Sequence, residues 1–451
     1  MRKWPTAFAL VAWACAAQAR GVADDDALMR AIRAGDAGAV QAALAHADPN
    51  RKLAFGATPL SQAVYAQEPE IVTELLARGA KPNVADSEGV APLSLACELG
   101  NAAIVGQLLD VGADVRAAAP DGTSALAICA RFGPAAAVQR MLARGAAADR
   151  PDERGQPPLM WAASSGRVEA IRLLLKAGAD ANTVTKGGFT PLFFAIKSGV
   201  PEATQALLVA GARADYRGPE NTSALQLALY QHNYGAAALL AQRGGDLAER
   251  DREGWQPLHR AAKAGETDLI ALLLAKGADA NALTGPSRIK WVTEANFGMP
   301  PPPVPPMPPL LIAAQNGNAA AMKQLIAAGA DPRFVAENGT NFVLAAARGV
   351  TPAALEFALT IAPDANVADS RGATPLHVLV GGGPKPELAA MLQVLAAHGA
   401  RSDIKDKNGH TAADMATGGQ TEVKDAFTAA FGNHAKATVA DAQIAAKAAA
   451  K

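Results

Sequence analysis

Histidine and cysteine are among the residues that most often act in catalysis and metal binding. This chain of 451 residues has seven histidines and three cysteines. Neither type occurs in a familiar reactive pattern, because the sequence lacks the Gly-Lys dipeptide of a phosphate-binding loop, Gly-x-Ser-x-Gly, His-Glu-x-x-His and Cys-x-x-Cys. We therefore predict no catalytic residue, no metal site and no cofactor, and we do not expect an enzyme.

Composition excludes further classes. The chain has 42 Lys plus Arg and 42 Asp plus Glu, so its formal net charge is zero and no broad basic field attracts nucleic acid. About a quarter of its residues are alanine and only 5% are aromatic, which favours closely packed helices over a β-sandwich. The length exceeds the roughly 250 to 300 residues at which single cores stop growing, so we expect a repeat array or several domains.

The first 19 residues have the pattern of a secretory signal peptide. Arg2 and Lys3 precede an apolar run from Thr6 to Ala17, and Ala17-Gln18-Ala19 has the small-x-small pattern of a cleavage site. The run has about 12 residues, which is too short for a helix to cross a bilayer. We expect cleavage after Ala19, no membrane insertion of the mature chain, and an extracytoplasmic protein that is either periplasmic or secreted.

A motif such as Thr58-Pro59-Leu60 recurs every 33 residues. The elements that this repeat forms must position any binding surface of the protein. It begins at positions 58, 91, 124, 157, 190, 223 and 256 and, after an insertion, at 308, 341, 374 and 411. A glycine recurs in the same phase from Gly79 to Gly399. Thr or Ser followed by Pro starts a helix, and the later Gly ends a second helix. Each 33-residue repeat therefore consists of a helix, a turn, a second helix and a loop, and stacked repeats bury the apolar faces of their helices.

These motifs resemble the ankyrin repeat, and the chain is similar to exported bacterial ankyrin proteins. Thr374-Pro375-Leu376-His377 and Pro257-Leu258-His259-Arg260-Ala261-Ala262 nearly spell the family signature Thr-Pro-Leu-His-x-Ala. The resemblance implies an all-α solenoid of about twelve 33-residue helix-turn-helix units with short β-turn fingers. It also implies a hydrogen-bonded structural role for His259 and His377, and protein binding through the finger loops and the inward face of the first helices.

The repeat phase places candidate binding residues on that surface. Aromatic and basic side chains concentrate there in the middle repeats, a composition typical of interface hot spots. The candidate protein-binding residues are Phe132, Phe189, Tyr230, Trp255, Arg131, Lys197, Arg252 and Lys263. The alternative is that each aromatic side chain packs against its neighbouring loop. Trp161 and Phe194 stand where the family usually carries a packed Leu, so we expect both in the core.

We divide the chain into a signal peptide at 1–19, a repeat array at 20–418, and a capping helix with an Ala/Lys-rich tail at 419–451. A Pro-rich loop at about 285–306 interrupts the array and contains Trp291 and Phe297. Such a run favours stiff, extended polyproline II. The loop is a lid over the groove, a spacer, or a ligand that presents Trp291 and Phe297 to a partner.

Cys97 and Cys129 are the cysteines left after signal cleavage, and they lie on first helices of adjacent repeats. A disulfide needs Cα atoms within about 7 Å, whereas adjacent helices lie about 8 to 10 Å apart. We therefore expect two buried free thiols, with a cross-link in an oxidising compartment as the alternative.

The sequence thus predicts a monomeric, non-catalytic scaffold that binds an unidentified extracytoplasmic protein through the concave face and finger loops of its middle repeats. One alternative is a ligand-binding or enzymatic protein in which the insert closes over a groove and His259, Arg260 and Asp268 supply polar groups. Another is a secreted effector that acts on another cell.

Overall fold

The computed structural model describes residues 27–52, 56–288 and 305–432. The chain forms two compact units, Met1–Arg213 and Ala214–Lys451, and each is described by itself. Within the described ranges the regular structure is helical, and β pairing is confined to isolated bridges in finger loops, such as Ala118 with Ser124. No helix in these ranges combines the length and apolarity that crossing a bilayer demands. The predicted signal peptide and the end of the Ala/Lys-rich tail lie outside the described residues.

Unit 1 is a stack of helix pairs. Its first helices are Ala27–Ala34, Pro59–Tyr65, Pro92–Leu99, Ala125–Phe132, Pro158–Ser164 and Pro191–Lys197. Its second helices are Ala37–Ala43, Pro69–Ala77, Ala102–Asp110, Ala135–Ala143, Val168–Lys176 and Pro201–Val209. First helices pack on first helices of the next repeat, and second helices pack on second helices.

Unit 2 repeats this arrangement. Its first helices are Ala224–Tyr230, Pro257–Ala264, Pro309–Gln315, Phe342–Arg348, Pro375–Gly381 and Ala412–Thr417, and a short 3₁₀ turn at Pro219–Asn221 precedes them. Its second helices are Tyr234–Gln242, Thr267–Ala275, Ala319–Ala327, Pro352–Ile361, Leu388–Ala397 and the helix 421–432. The last helix buries Val423, Phe427 and Phe431. Each unit is thus a stack of six helix pairs, which confirms the expected all-α class and the expected number of about twelve repeats.

Local signals start and stop the helices as the motif predicts. The Thr58 side chain accepts a hydrogen bond from the Ser61 amide, and the Ser61 hydroxyl accepts one from the Thr58 amide. This capping box satisfies backbone donors that a helix start leaves unpaired. Second helices end near a glycine with a left-handed backbone, such as Gly178 at φ 93°. A Cβ there would meet nothing within 4 Å, so the backbone angle alone favours glycine.

The core lies where the repeat phase predicts it. The recurring second-helix leucines, including Leu75, Leu108, Leu174 and Leu273, are fully buried. Small residues at the matching first-helix position, such as Ala96 and Ala162 and their counterparts, are also fully buried, which allows adjacent helices to approach closely. Stacking of neighbouring repeats therefore supplies the apolar core that a single helix pair lacks.

Asn side chains link the loops of successive repeats, a set of contacts that the sequence analysis did not predict. Asn182 Nδ2 donates to the Gly211 carbonyl at 3.1 Å, and its Oδ1 accepts from the Arg213 amide at 2.8 Å. Asn50, Asn281 and Asn366 make the same pair of bonds to the following repeat. These bonds satisfy backbone groups at the ends of second helices.

Cys97 and Cys129 form a disulfide, so the expectation of two free thiols was wrong. Both residues are fully buried, and their Cα atoms are 4.6 Å apart. The expectation treated the distance between helix axes as the distance between residues. Each Cα lies about 2.3 Å from its own axis, so facing residues on helices about 8 to 10 Å apart approach to about 4 or 5 Å.

Candidate functional site

The first helices of unit 1 carry a row of half-buried apolar side chains. Leu95, Ile128, Trp161 and Phe194 occupy the fifth position of successive motifs, and all four are half-buried. Since adjacent first helices pack side by side, these equivalent positions lie in a row. We call this row, with the flanking residues Arg131, Phe132, Arg154 and Phe189, the Trp161 face.

Trp161 and Phe194 were expected in the core, and this was wrong. The core position is one residue earlier, where Met160 and Phe193 are 1% and 2% exposed. Successive residues in an α-helix point about 100° apart. A side chain one position further along therefore points toward the surface instead of toward the next repeat.

Two arginines flank the Trp161 ring. The guanidinium carbon of Arg131 lies 5.4 Å from the ring centre, and that of Arg154 lies 5.8 Å from it. Arg131 extends from the helix Ala125–Phe132 and is also 4.7 Å from the Phe132 ring centre. Arg154 comes from the finger loop of the next repeat, where it pairs with Asp152 at 3.3 Å. The indole is therefore held by cations from two successive repeats.

Burial and the neighbouring charge of Arg154 lower the pKa of Arg131, while Glu98 acts to raise it. Partial burial raises the pKa of Glu98, against the opposing effect of Arg131. Arg131 Nε and Trp161 Nε1 find no hydrogen-bond acceptor among the described residues. The charge and donors at this point of the face are therefore incompletely compensated.

The other predicted residues of unit 1 lie at the edge of the same face. Phe132 is 36% exposed and Phe189 is 37% exposed. Phe189 makes edge contacts with Phe193 and Phe194, at ring distances of 6.4 and 6.3 Å. Lys197 is exposed at the end of the helix Pro191–Lys197. Phe189 thus packs on its neighbours and also presents apolar surface.

In unit 2, Tyr230 and Trp255 meet at Arg260. The Arg260 guanidinium carbon lies 5.1 Å from the Tyr230 ring centre and 4.8 Å from the Trp255 ring centre, and Lys263 Nζ lies 5.1 Å from the latter. We call these four residues, with Asp251 and Glu253, the Trp255 cluster. Tyr230 is 36% exposed and Trp255 is half-buried, so packing within the cluster leaves aromatic surface accessible.

Carboxylates hold Arg260 in place. Arg260 Nε donates to Asp251 Oδ2 at 2.7 Å, and its guanidinium lies 3.1 Å from Glu253 Oε1. Burial acts to lower the pKa of Arg260, but the charge of Asp251 and the bonds to both carboxylates raise it above its ordinary value. Asp251 also accepts from the Glu253 and Trp255 amides, which shapes the finger. The cluster is therefore a pre-organised ion-pair network.

Tyr230 and Arg252 belong to the same region. Burial, followed by the negative charge of Asp251, raises the pKa of Tyr230. The Arg252 amide donates to Tyr230 Oη at 3.3 Å, and the Arg252 side chain pairs with Glu220. Arg252 is thus engaged within unit 2 and still exposes more than half of its side chain.

The histidines have the structural role that the resemblance implies. His259 is fully buried; its Nδ1 accepts from the Gln256 amide at 3.2 Å, and its Nε2 lies 2.9 Å from the Ala282 carbonyl. His377 makes equivalent contacts with the Thr374 amide and the His410 carbonyl. Burial lowers the pKa of His259 to about 4. Both of its ring nitrogens are occupied, and Asp268 is exposed on a second helix, so these residues do not converge on a ligand site.

Trp291 and Phe297 of the insert lie outside the described residues. The described start of the insert is tied to the preceding finger loop. The Gly285 amide donates to the Gly254 carbonyl at 2.7 Å, and the Arg288 amide donates to the Arg252 carbonyl at 2.6 Å. Thr284 and Met307 close its base through two hydrogen bonds. The insertion therefore begins beside the Trp255 finger.

Sequence reasoning missed Arg154, Asp251 and the fifth-position row. A usable signal was present, because Leu95, Ile128, Trp161 and Phe194 recur at 33-residue spacing with large apolar side chains. The contacts of Arg154 and Arg260 had no such signal, since they depend on side-chain directions between a finger and a helix. In the described residues, no group of His, Cys, Asp and Glu could hold a metal ion.

Similar proteins were found for parts of the chain. It is 38% identical to human protein phosphatase 1 regulatory subunit 27 over 64 residues, or 14% of this chain and 42% of that protein. It is 37% identical to the Notch-regulated ankyrin repeat-containing protein A of Danio rerio over 59 residues, or 13% of this chain and 53% of that protein. The chain thus spans about half the length of these curated relatives.

Solved structures were matched as well. The human ASB11 ankyrin repeat domain aligns with 45% of this chain and 90% of its own, at 27% identity and a TM-score of 0.40. The ankyrin repeat domain of Bcl-3 aligns with 45% of this chain and 94% of its own, at 28% identity and a TM-score of 0.39.

A family model described as ankyrin repeats (3 copies) matches residues 28–119, 126–217 and 192–284, which is more than half of the chain. Ankyrin repeats form scaffolds for protein-protein interaction. The period of 33 residues, the stacked helix pairs and this match show that the chain belongs to the ankyrin repeat family.

Proposed function

We propose that the protein is an exported, non-catalytic scaffold that binds a partner protein through its middle repeats. The binding residues are the Trp161 face of unit 1 and the Trp255 cluster of unit 2, together with the predicted Lys197 and Arg252. The protein acts as a monomer, and the partner is an extracytoplasmic protein.

The row of half-buried apolar side chains on the Trp161 face is the observation that carries this proposal. Core positions of the first helices are fully buried, whereas this row and the adjoining Phe132 and Phe189 keep apolar surface exposed. Contiguous exposed apolar surface bordered by cations is typical of protein-binding sites. The arginines that hold Trp161 reduce the ordering cost of binding, because the ring is positioned in advance.

Two features support export. The disulfide between Cys97 and Cys129 is the kind of bond that persists in oxidising compartments and is rare in the cytosol. The sequence also begins with the pattern of a signal peptide. Isolation from the cell envelope fraction, followed by intact mass measurement, tests this part of the proposal. The mass of a chain that begins at residue 20 would support export, and the mass of a chain that begins at Met1 would contradict it.

Crosslinking in the native extracytoplasmic fraction, followed by mass spectrometry, tests binding. The wild-type protein is compared with a variant in which Phe132, Phe189, Tyr230 and Trp255 are alanine. The matched control replaces four exposed valines elsewhere, Val111, Val184, Val209 and Val335, by alanine.

We expect a partner that crosslinks to the wild type and to the valine control but not to the aromatic variant. The purified partner should then bind the wild type directly. Equal capture by all three proteins would move the binding site to another surface, and absence of any crosslinked protein would contradict the scaffold proposal.

A further inference from the structure

The centre of the Trp161 face holds a cation without a direct carboxylate partner. Arg131 is half-buried, and no carboxylate oxygen of the described residues lies within 4 Å of its guanidinium. Its Nε has no hydrogen-bond acceptor there, and neither has Trp161 Nε1 beside it. A partly buried charge that lacks an acceptor is unfavourable, so this point of the free protein is suited to receive one.

The nearby carboxylates do not fill this role. Asp152 accepts from the amides of Arg154 and Gln156, both at 2.9 Å, and only 2% of its side chain is exposed. Asp152 therefore shapes the finger loop and pairs with the Arg154 guanidinium at 3.3 Å, and its charge is used there rather than at Arg131. Glu98 acts on Arg131 through charge but forms no hydrogen bond with it, and partial burial raises the pKa of Glu98.

The second arginine, which pairs with Asp152 at 3.3 Å, adds positive charge beside Arg131. Arg154 exposes 46% of its side chain and lies on the same indole ring as Arg131. The positive charge of Arg154 lowers the pKa of Arg131, after burial, so the two cations act unfavourably on each other. A negative group placed between them would stabilise both guanidinium groups.

The surroundings of the two arginines limit what that negative group can belong to. Phe132, Phe189 and the apolar row surround the two arginines, so the ligand that supplies the acceptor should also carry an apolar side chain next to it. Glu88, Asp121 and Glu153 are exposed on the finger loops of unit 1, so a polyanion such as nucleic acid would meet repelling charges. One carboxylate beside apolar side chains fits this pattern.

We infer that the Trp161 face recognises a short chain segment of the partner that carries an Asp or Glu next to an aromatic or aliphatic residue. The carboxylate sits between Arg131 and Arg154, and the apolar side chain covers Trp161 and Phe132. This inference rests on the proposed function and names the chemistry of the partner at that site.

The disulfide gives this site a fixed geometry. Cys97 precedes Glu98, and Cys129 lies two positions before Arg131, so the cross-link joins the two helices directly behind the face. Helices joined in this way keep Arg131 in register with the neighbouring repeat. A rigid site loses less conformational entropy when a flexible segment binds.

The experiment uses random short peptides displayed on yeast and sorted on the purified full-length protein. Enriched peptides are then synthesised and titrated against the wild type, Arg131→Gln, Arg154→Gln and Trp161→Ala. Arg172→Gln is the matched control, because Arg172 lies on a second helix with 63% of its side chain exposed. Thermal melting checks that each variant folds, and Arg131→Lys retains the charge if Arg131→Gln does not fold.

Enriched peptides should share an acidic residue beside an apolar one. Replacing that residue by Asn or Gln should weaken binding to the wild type about tenfold and should change little in the Arg131→Gln variant. Arg172→Gln should bind as the wild type does.

Peptides that need Trp161 but contain no acidic residue would overturn the carboxylate inference and leave the proposed function standing. Enrichment of no peptide, or binding that survives Trp161→Ala, would overturn the inference and also remove the Trp161 face from the proposed function. A single-stranded oligonucleotide that binds the wild type and is lost in Arg131→Gln would likewise overturn it.

Discussion

The guanidinium carbon of Arg260 lies 4.8 Å from the centre of the Trp255 ring. The same guanidinium bonds Asp251 at the start of the finger that ends in Trp255. One side chain therefore couples the finger loop to the first helix that follows it. The aromatic surface predicted for binding therefore depends on Arg260. The repeat motif gives the position of this arginine in the helix, but its contacts with Asp251 and Trp255 set the direction of its side chain.

Replacing Arg260 by Gln is expected to destabilise the protein by about 1.5 to 3 kcal/mol, because Asp251 is nearly buried and loses a charged hydrogen-bond donor. Tryptophan fluorescence should also change, since the cation leaves the Trp255 ring. Denaturant unfolding followed by fluorescence measures both effects. The control Lys263→Met removes a more exposed cation and should cost less than about 1 kcal/mol. Equal stability of Arg260→Gln and the wild type would contradict the role given to this ion pair.

Cys97 and Cys129 should resist alkylation when the purified protein is denatured without a reductant, because both sulfurs are in the disulfide. Peptide mapping by mass spectrometry measures this directly. Double replacement by serine should lower the free energy of unfolding by about 2 to 5 kcal/mol. Alkylation of both residues before reduction would show that the bond does not form.

Stability should fall between neutral and mildly acidic pH because of His259. Its folded-state pKa of about 4 lies below the ordinary 6.5, so between these values the unfolded chain binds a proton that the folded chain does not. The stabilising contribution is therefore complete above about pH 6.5 and is lost as the pH falls toward 4. Linkage predicts a loss of about 2 kcal/mol from pH 7 to pH 5 that is absent in His259→Gln. Parallel pH dependence of the two proteins would refute this assignment.

Leu174→Ala should destabilise the protein by about 2 to 5 kcal/mol, because Leu174 is fully buried between second helices and truncation leaves a cavity. Val209→Ala is the control, since Val209 is 71% exposed and its truncation should cost less than about 0.5 kcal/mol. Circular dichroism melting compares the two. An unchanged melting curve for Leu174→Ala would show that the core is elsewhere.

Val350→Gly should raise stability by about 1 kcal/mol, because Val350 has a φ of 54° between the helices Phe342–Arg348 and Pro352–Ile361. A β-branched residue is strained in this left-handed region, and glycine is not. Gly199 occupies the equivalent turn at φ 78°, and a Cβ there would meet no atom within 4 Å. Gly199→Val should therefore destabilise through the backbone alone. A lower melting temperature for Val350→Gly would contradict the strain argument.

The sequence alone determined the repeat, the helix pairs and the core. Each of these features follows from local signals that recur every 33 residues, such as the capping of the helix after Thr58 and the glycine at 178. Leu174 could be assigned to the core for the same reason, since its burial repeats with the period. These periodic signals can be recognised in the sequence without knowing how neighbouring repeats pack against each other.

Only the tertiary structure decided the disulfide, the exposure of Trp161 and the placing of Arg260. The Cys97 and Cys129 Cα atoms are close because facing residues on packed helices approach more nearly than the helix axes do. Trp161 is half-buried because one step along a helix turns a side chain by about 100°, from the neighbouring repeat to the surface. Such relationships join residues that are distant along the chain and depend on side-chain direction, which the period of a sequence does not specify.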